Sequence, residues 1–306
     1  MERPAAEESL IPERNLWIYD GEVRIVWKLS AYVGVFLFFS FLLLLVSLLL
    51  HQSTTLVYSI ALTLAAFAAT VFCMLLIEKR SVVDIGLWFR APAHRAFWIG
   101  NGLAAGMILL VFAAELSTGL ARTMLLCLEI DKALHIVAFG FVQFGFVAVG
   151  EEVLTRGYPF YALQRRFNDL TAIILTSLVF SIMHATNPSV SIFALVNIFL
   201  AGVWLGVARV LSGGLWLPIG MHLSWNLVMG SILGFPVSGI VGEGVMKTEA
   251  FGPSWITGAY FGPEGGVLVT GILLAGTVAL LHPALRGRYA FAQSMETEQR
   301  SPEESS

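Results

Sequence analysis

Two uninterrupted apolar runs near the start of the chain constrain its fold more than any other feature. Residues 29–50 and residues 56–77 are each 22 residues long and contain no charged side chain. A helix of about 20 apolar residues crosses the hydrocarbon core of a bilayer. The whole chain is 57% apolar and only 13% charged, which lies outside the composition of soluble domains. The sequence therefore predicts an all-α polytopic membrane protein.

Further apolar segments follow, separated by polar or glycine-rich stretches. They are residues 96–114, 133–166, 171–184, 190–207, 215–233 and 265–281. The connector 116–132 is long enough to hold a short interfacial helix. We predict about eight transmembrane helices and divide the chain into five regions. These are a cytoplasmic N-terminal arm (1–28), helices one to three (29–132), a core of helices four to seven (133–234), a loop with helix eight (235–285) and a disordered C-terminal tail (286–306).

The lysine and arginine residues are distributed unevenly between the two sides of these segments. Eight spans place both termini on one side. The segments on the opposite side contain only Arg122, Lys132 and Lys247, whereas the side of the termini holds fourteen of the other fifteen basic residues. The positive-inside rule then predicts cytoplasmic termini in a multi-pass protein, which we assign to the cell membrane. A net charge of −3 indicates no nucleic-acid partner.

Two adjacent carboxylates, Glu151 and Glu152, follow the apolar run 133–150 without any loop signal except Gly150. Charges at membrane depth are costly, so they usually face a partner or a water-filled cavity. Arg156 lies four residues after Glu152, so the two can pair on one helix face. The side chain of Glu151 points about 100° away from that of Glu152 around the helix, so Glu151 is available for a different role. The alternative is a helix that ends at Gly150 and leaves both acids in water.

Histidine and asparagine side chains occur in later apolar segments. Glu151 and His184 each lie about 16–17 residues from a predicted turn at 167–168, so roughly 25 Å along two antiparallel helices. We therefore predict that they face each other at similar depth. His222 and Asn226 are four residues apart, share one helix face and start from the same side of the membrane. All four side chains can reach one cavity.

These residue types permit hydrolysis of a carbonyl compound, most simply a peptide bond. A carboxylate beside a histidine can deprotonate water, and a second histidine with an asparagine can stabilise an oxyanion. A metal site is the rival interpretation, because Glu151, His184 and His222 match a His₂Glu zinc set. Two other classes stay open. One is a non-catalytic membrane scaffold, and the other is a small transporter that uses buried charges as a proton relay.

The polar positions resemble, in type and order, the three motifs of the CAAX prenyl protease 2 type family. This family is also called the CPBP or Abi family of intramembrane proteases. The resemblance covers about residues 134–233, a third of the chain. The motifs are Glu151-Glu152-x-x-x-Arg156, Phe180-x-x-x-His184 and His222-x-x-x-Asn226.

The resemblance implies an eight-helix membrane endopeptidase with an intramembrane cavity open to the cytoplasm. It implies that Glu151 and His184 activate water without a metal, and that His222 and Asn226 hold the oxyanion. Glu152 and Arg156 would form a structural pair supported by Phe180. The implied substrates are proteins anchored among membrane lipids, including prenylated CAAX-type proteins cleaved near the C-terminus. Some relatives resemble immunity or surface-display factors, so a non-catalytic role on the same fold is the alternative.

Overall fold

The computed structural model describes residues 18–19, 22–51, 54–89, 91–126 and 129–282. The predicted C-terminal tail and most of the predicted N-terminal arm lie outside the described residues. Five helices are long and apolar enough to cross a membrane, and two shorter apolar helices accompany them. The prediction of an all-α polytopic membrane protein is confirmed, whereas the number of eight spans stays a prediction.

The helices follow the predicted apolar runs closely. They are α1 (Ile25–Leu49), α2 (Thr55–Phe72), α3 (Ala91–Ser117), α4 (Ile130–Glu152), α5 (Tyr158–Arg166), α6 (Asp169–Met183), α7 (Ile192–Ser212), α8 (Trp216–Asn226), α9 (Ser254–Thr257) and α10 (Val267–Leu281). Three π-helical turns extend or join them, and these are Cys73–Ile77, Val153–Gly157 and Leu227–Ile232. Two short antiparallel ribbons pair β1 (Ile18–Tyr19) with β2 (Glu22–Val23) and β3 (Ala121–Leu125) with β4 (Met246–Ala250). Three 3₁₀ turns complete the described elements, at Val82–Ile85, Ala259–Phe261 and Pro263–Gly265.

The connector 116–132 contains strand β3 where the sequence left room for an interfacial helix. Its partner β4 lies in the long glycine-rich loop, in a register that runs from Ala121 opposite Ala250 to Leu125 opposite Met246. The hydroxyl of Thr248 donates to Thr123 across the ribbon at 3.0 Å. Because the two strands lie so far apart in sequence, neither local stretch reveals the pairing.

The fourth helix does not end at Gly150, so the interpretation that leaves both glutamates in water is wrong. Residues Ile130–Arg166 form a continuous helical segment of 37 residues, interrupted only by a π-turn. Gly150 instead permits close packing, because a Cβ atom there would lie 3.1 Å from the Cα of Thr63 on α2. The break before α5 falls at Gly157, two residues before Pro159. Proline cannot donate the next helical hydrogen bond, which explains the irregular turn.

The helix ends form two opposite faces of the molecule. One face, which we call the turn face, contains the start of α1, the end of α2, the segment 82–88 and the α5–α6 and α7–α8 turns. Lys28 forms an ion pair with Glu78 at 3.0 Å on this face. The backbone N–H of Leu215 donates to the carbonyl of Gly86 at 3.0 Å, which joins the α7–α8 turn to segment 82–88.

The second face, which we call the loop face, contains the start of α2, the β3–β4 ribbon, the turn 184–191 and the loop 233–266. The side-chain amide of Asn187 donates to the carbonyl of Ser238 at 2.9 Å. The backbone N–H of Phe251 donates to the carbonyl of Leu120 at 2.7 Å. These contacts hold the long loop against the helix ends beneath it.

Helix α3 crosses α8 at very short range, and glycines on both helices make this possible. A Cβ atom at Gly100 would collide with the carbonyl oxygen of Leu217 and would lie 2.9 Å from the amide nitrogen of Met221. A Cβ atom at Gly220 would likewise collide with the carbonyl oxygen of Phe97. Small residues at helix contacts let the backbones approach closely in membranes. The crossing fixes the depth and rotation of α8, which carries two of the predicted site residues.

We predict that Gly100→Ala lowers thermal stability, because the added methyl group has no room against α8. Overpacking of this kind typically costs about 1–3 kcal/mol. The matched control is Gly102→Ala on the same helix, where a Cβ atom meets nothing within 4 Å. That change should be neutral or slightly stabilising, since alanine favours a helix over glycine by up to about 1 kcal/mol. Thermal melting of both variants in detergent tests the prediction, and equal melting temperatures would contradict it.

Candidate active site

Glu152 and Arg156 form an ion pair in which both side chains are fully buried. The Nη1 atom of Arg156 lies 3.1 Å from Oε1 of Glu152, at the predicted i, i+4 spacing. Arg156 also donates to the hydroxyl of Thr155 at 2.8 Å and to the carbonyl of Gly202 on α7 at 3.0 Å. Its guanidinium lies 4.4 Å from the ring centre of Phe180 on α6. The pair predicted from the sequence is therefore present, and it ties α4 to α6 and α7.

His222 on α8 contacts both adjacent glutamates. Its Nδ1 atom lies 3.0 Å from Oε1 of Glu152, the same oxygen that accepts from Arg156. Its Nε2 atom lies 3.8 Å from Oε2 of Glu151. The sequence argument assigned Glu152 only to Arg156 and missed this second contact. Glu152 and His222 lie 70 residues apart, and no local pattern reports such a contact.

His184 lies at the end of α6, where the regular helix stops. Its Nδ1 atom is 2.8 Å from the carbonyl oxygen of Phe180, one turn earlier. A carbonyl only accepts, so Nδ1 carries the proton and Nε2 is the acceptor in the neutral ring. The ring of Phe180 lies 4.8 Å from that of His184 and 5.9 Å from that of His222, measured between centres. Phe180 thus packs against both histidines as well as Arg156.

A cavity of about 810 Å³ brings the predicted catalytic residues together. Its lining includes Glu151, His184, His222 and Asn226, as well as Phe180. Oε2 of Glu151 is buried and has no hydrogen-bond partner among the described residues. The sequence placed Glu151 opposite His184, and both line the cavity. The ionic contact of Glu151 is nevertheless with His222.

Glu264 lines the same cavity and was not singled out by the sequence argument. Only 6% of this residue is exposed. Its Oε1 accepts from the indole N–H of Trp225 at 3.1 Å, and its Oε2 accepts from both the backbone N–H and the hydroxyl of Ser238 at 2.7 Å. Trp225 directly precedes Asn226 on α8. Glu264 therefore connects the long loop to the helix that carries His222 and Asn226.

The alternative zinc set is untested by the structure and stays a prediction. Within the described residues, no group of three His, Cys, Asp or Glu side chains is arranged to hold one ion. His184 directs Nδ1 at a backbone carbonyl, and the two ring nitrogens of His222 face Glu152 and Glu151. Glu151, His184 and His222 nevertheless line one cavity.

We predict that Glu152→Gln strongly destabilises the fold, because it leaves the buried guanidinium of Arg156 without its counter-charge. Removing one partner of a buried pair costs about 3–5 kcal/mol. The double variant Glu152→Gln with Arg156→Met should recover part of this loss, since no charge is then stranded. Melting curves in detergent measure both effects.

The matched control for this prediction is Glu129→Gln. It breaks an exposed pair with Lys132 whose atoms are 3.9 Å apart, so it should change the melting temperature little. A Glu152→Gln variant as stable as this control would show that the buried pair does not hold the fold.

Comparison with known proteins agrees with the motif resemblance. Residues 133–228 match the family model described as type II CAAX prenyl endopeptidase Rce1-like. The match spans all the predicted site residues, from Glu151 to Asn226. No significant match is found among curated proteins or among solved structures. The family supports CAAX-type intramembrane endopeptidase activity in general terms. The chain is an integral, multi-pass membrane protein in which residues 133–228 match the Rce1-like model of type II CAAX prenyl endopeptidases.

Proposed function

We propose that this protein hydrolyses peptide bonds near the C-terminus of membrane-anchored proteins, including prenylated CAAX-type proteins. Water activated by Glu151 and His184 attacks the carbonyl carbon, and His222 and Asn226 bind the oxyanion. One observation supports this proposal most strongly. All four side chains line a single cavity in a membrane protein whose residues 133–228 match the model of type II CAAX prenyl endopeptidases.

Glu151 is the candidate general base. Its Oε2 atom is a buried acceptor that makes no hydrogen bond to the described residues. The residue lines a cavity large enough for water. A carboxylate in that position can take a proton from water as the water oxygen bonds to the carbonyl carbon. The same proton is then available for the amine nitrogen when the C–N bond breaks. Water is consumed, and the products are a carboxylic acid and an amine.

His184 orients the attacking water in this proposal. Its Nδ1 atom donates to the carbonyl of Phe180, which fixes the ring and leaves Nε2 as an acceptor. The ring also packs at a tilt against that of Phe180, with 4.8 Å between the ring centres, which limits its rotation. Glu151 and His184 together offer two acceptors for the two protons of one water molecule.

His222 and Asn226 supply the donors for the oxyanion. They lie one turn apart on the same face of α8. The carboxylate of Glu152 accepts from Nδ1 of His222 at 3.0 Å, which fixes the ring with Nε2 facing Glu151 at 3.8 Å. Nε2 stabilises an oxyanion when it carries a proton, and the side-chain amide of Asn226 adds a neutral donor. Glu152 acts here through His222 and Arg156 and does not contact the substrate.

We predict that Glu151→Gln keeps the fold and abolishes cleavage. An amide has the same shape but cannot accept the proton, and losing a general base commonly lowers the rate by ~10²–10⁴. The measurement is cleavage of a farnesylated CAAX peptide in detergent, together with a melting curve. The control is Glu129→Gln, an exposed carboxylate just before α4. Cleavage at the wild-type rate in Glu151→Gln would remove Glu151 as the base and favour a non-catalytic scaffold on the same fold.

We also propose that hydrolysis requires no metal cofactor, because a carboxylate and an imidazole suffice to activate water. Metal analysis of purified protein should find no stoichiometric zinc, and chelators should leave the turnover of the same peptide intact. One tightly bound zinc ion per chain, lost together with activity in His184→Ala, would instead support the zinc mechanism.

A further inference from the structure

The carboxylate of Glu264 lines the cavity but lies outside residues 133–228, which match the family model. Both of its oxygens are engaged by donors of the protein. The indole N–H of Trp225 donates to one oxygen, and the backbone N–H and hydroxyl of Ser238 donate to the other. Oε2 of Glu151, by contrast, makes no hydrogen bond to the described residues. The contacts of Glu264 are therefore those of a group that holds other residues in position.

The backbone of Glu264 is itself fixed to the helix bundle. The side-chain amide of Asn197 on α7 donates to the carbonyls of Glu264 and Gly266, at 2.8 and 2.9 Å. The hydroxyl of Thr270 on α10 donates to Oδ1 of Asn197 at 2.7 Å. Only 1% of Asn197 is exposed, so these hydrogen bonds are shielded from solvent. The carboxylate thus extends from a support that α7 and α10 hold in place.

Ser238 occupies a tight turn whose backbone conformation favours other residue types. Val237 and Ile240 exchange both backbone hydrogen bonds at 2.9 Å, which closes a two-residue turn. The central residues, Ser238 and Gly239, have φ angles of 47° and 84°. Positive φ at both positions is the pattern of a type I′ turn, in which Asn, Asp and Gly are preferred. Serine is thus an unfavourable choice for the turn, but it supplies the hydroxyl that donates to Glu264.

The two ends of this network reach residues of the candidate active site. The carbonyl of Ser238 accepts from the side-chain amide of Asn187 at 2.9 Å. The backbone N–H of Asn187 in turn donates to the carbonyl of His184 at 3.1 Å, just beyond the end of α6. At the other end of the network, Trp225 directly precedes Asn226 in the last turn of α8. The carboxylate therefore connects the turn that carries His184 to the helix that carries Asn226.

We propose that Glu264 is a positioning residue for hydrolysis. Its hydrogen bonds to Ser238 hold the turn that carries His184, and its bond to Trp225 holds the end of α8 at Asn226. We call these three contacting residues the Glu264 clamp. The inference rests on the proposed function, in which His184 orients the attacking water and Asn226 binds the oxyanion. A displacement of about 1 Å between such groups can lower the rate on the order of 10²-fold, so the clamp acts on the chemical step.

Glu264→Gln tests the proposal, because glutamine has nearly the same shape but one of its two terminal atoms is only a donor. Either Trp225 or Ser238 then loses its acceptor. With the farnesylated CAAX peptide in detergent, kcat should fall about tenfold or more while KM changes less than about threefold. The control is Glu249→Gln, which removes an exposed carboxylate of the same loop and should change neither constant.

The kinetic constants also show which outcomes would overturn the proposal. An unchanged kcat in Glu264→Gln would mean that these contacts do not affect the chemistry. A raised KM at constant kcat would make Glu264 a substrate contact and not a positioning residue. A fall in kcat that only matches a lower folded fraction, measured by gel filtration of the same sample, would give it a merely structural role.

Ser238→Gly separates positioning from stability. Glycine adopts positive φ without strain, so the melting temperature should stay the same or rise. The change removes the hydroxyl donor, so kcat should fall roughly two- to tenfold, as for the loss of one hydrogen bond. The matched control is Ser189→Gly, at an exposed serine with a φ of 56°, which should keep the wild-type kcat. An unchanged kcat in Ser238→Gly would contradict the clamp, and this variant decides the question if Glu264→Gln does not fold.

Hydrogen exchange tests the Glu264 clamp without any catalysis. Mass spectrometry follows the exchange of backbone amides in the turn 184–191 and in the loop 234–244. Glu264→Gln should speed exchange in both segments, because weaker contacts raise the population of locally open states. Glu249→Gln should leave both segments as protected as in the wild type. Equal protection in Glu264→Gln and the wild type would overturn the proposal.

Failure of this proposal and failure of the proposed function give different results. If Glu151→Gln cleaves at the wild-type rate, or if the wild type does not cleave the peptide, the assigned chemistry is wrong. Hydrogen exchange then still decides whether the Glu264 clamp holds the two segments. If Glu151→Gln is inactive while Glu264→Gln keeps its kcat, the chemistry stands and the positioning role is wrong.

Discussion

The buried pair of Glu152 and Arg156 is the interaction on which the rest of the site depends. Two charges with no solvent exposure are tolerated in a membrane helix only when their polar atoms find partners. Those partners come from other helices, through the carbonyl of Gly202 on α7 and the ring nitrogen of His222 on α8. The hydrogen bonds that the pair makes therefore bring three helices to one depth. The positions of the cavity-lining side chains follow from that constraint.

Close helix contacts make these hydrogen bonds possible. A Cβ atom at Gly202 would lie 2.8 Å from the Cβ of Ser177, so only glycine lets α7 approach α6 with its carbonyl directed at Arg156. Gly150 plays a similar part against Thr63 of α2, just before the two glutamates. Lipid provides little hydrophobic force between helices, so packing of small residues and buried polar contacts must hold the bundle together. These glycines thus allow the close helix contacts on which the buried polar contacts of the site depend.

Local patterns in the sequence predicted much of this arrangement. Uncharged runs of 22 residues fix the first two helices, and four-residue spacing predicts the pair of Glu152 with Arg156. Equal distances from the α5–α6 turn predict that Glu151 and His184 reach one cavity. Contacts between segments that lie far apart in the sequence were not predictable, because no local periodicity indicates them. The β3–β4 ribbon, the contact of His222 with Glu152 and the role of Glu264 all belong to this class.

The two adjacent glutamates have different roles, one as a structural anchor and the other as the candidate base. A single carboxylate could not perform both. Successive helical residues point about 100° apart, so Glu151 faces the cavity while the next residue, Glu152, faces the neighbouring helices. Glu152 pairs with Arg156 and accepts from His222, which makes it an anchor for both side chains. Glu151 has a buried oxygen that makes no hydrogen bond to the described residues, so this oxygen can accept from a water molecule in the cavity. His222 contacts both, and the fold thereby positions the candidate oxyanion donor relative to the candidate base.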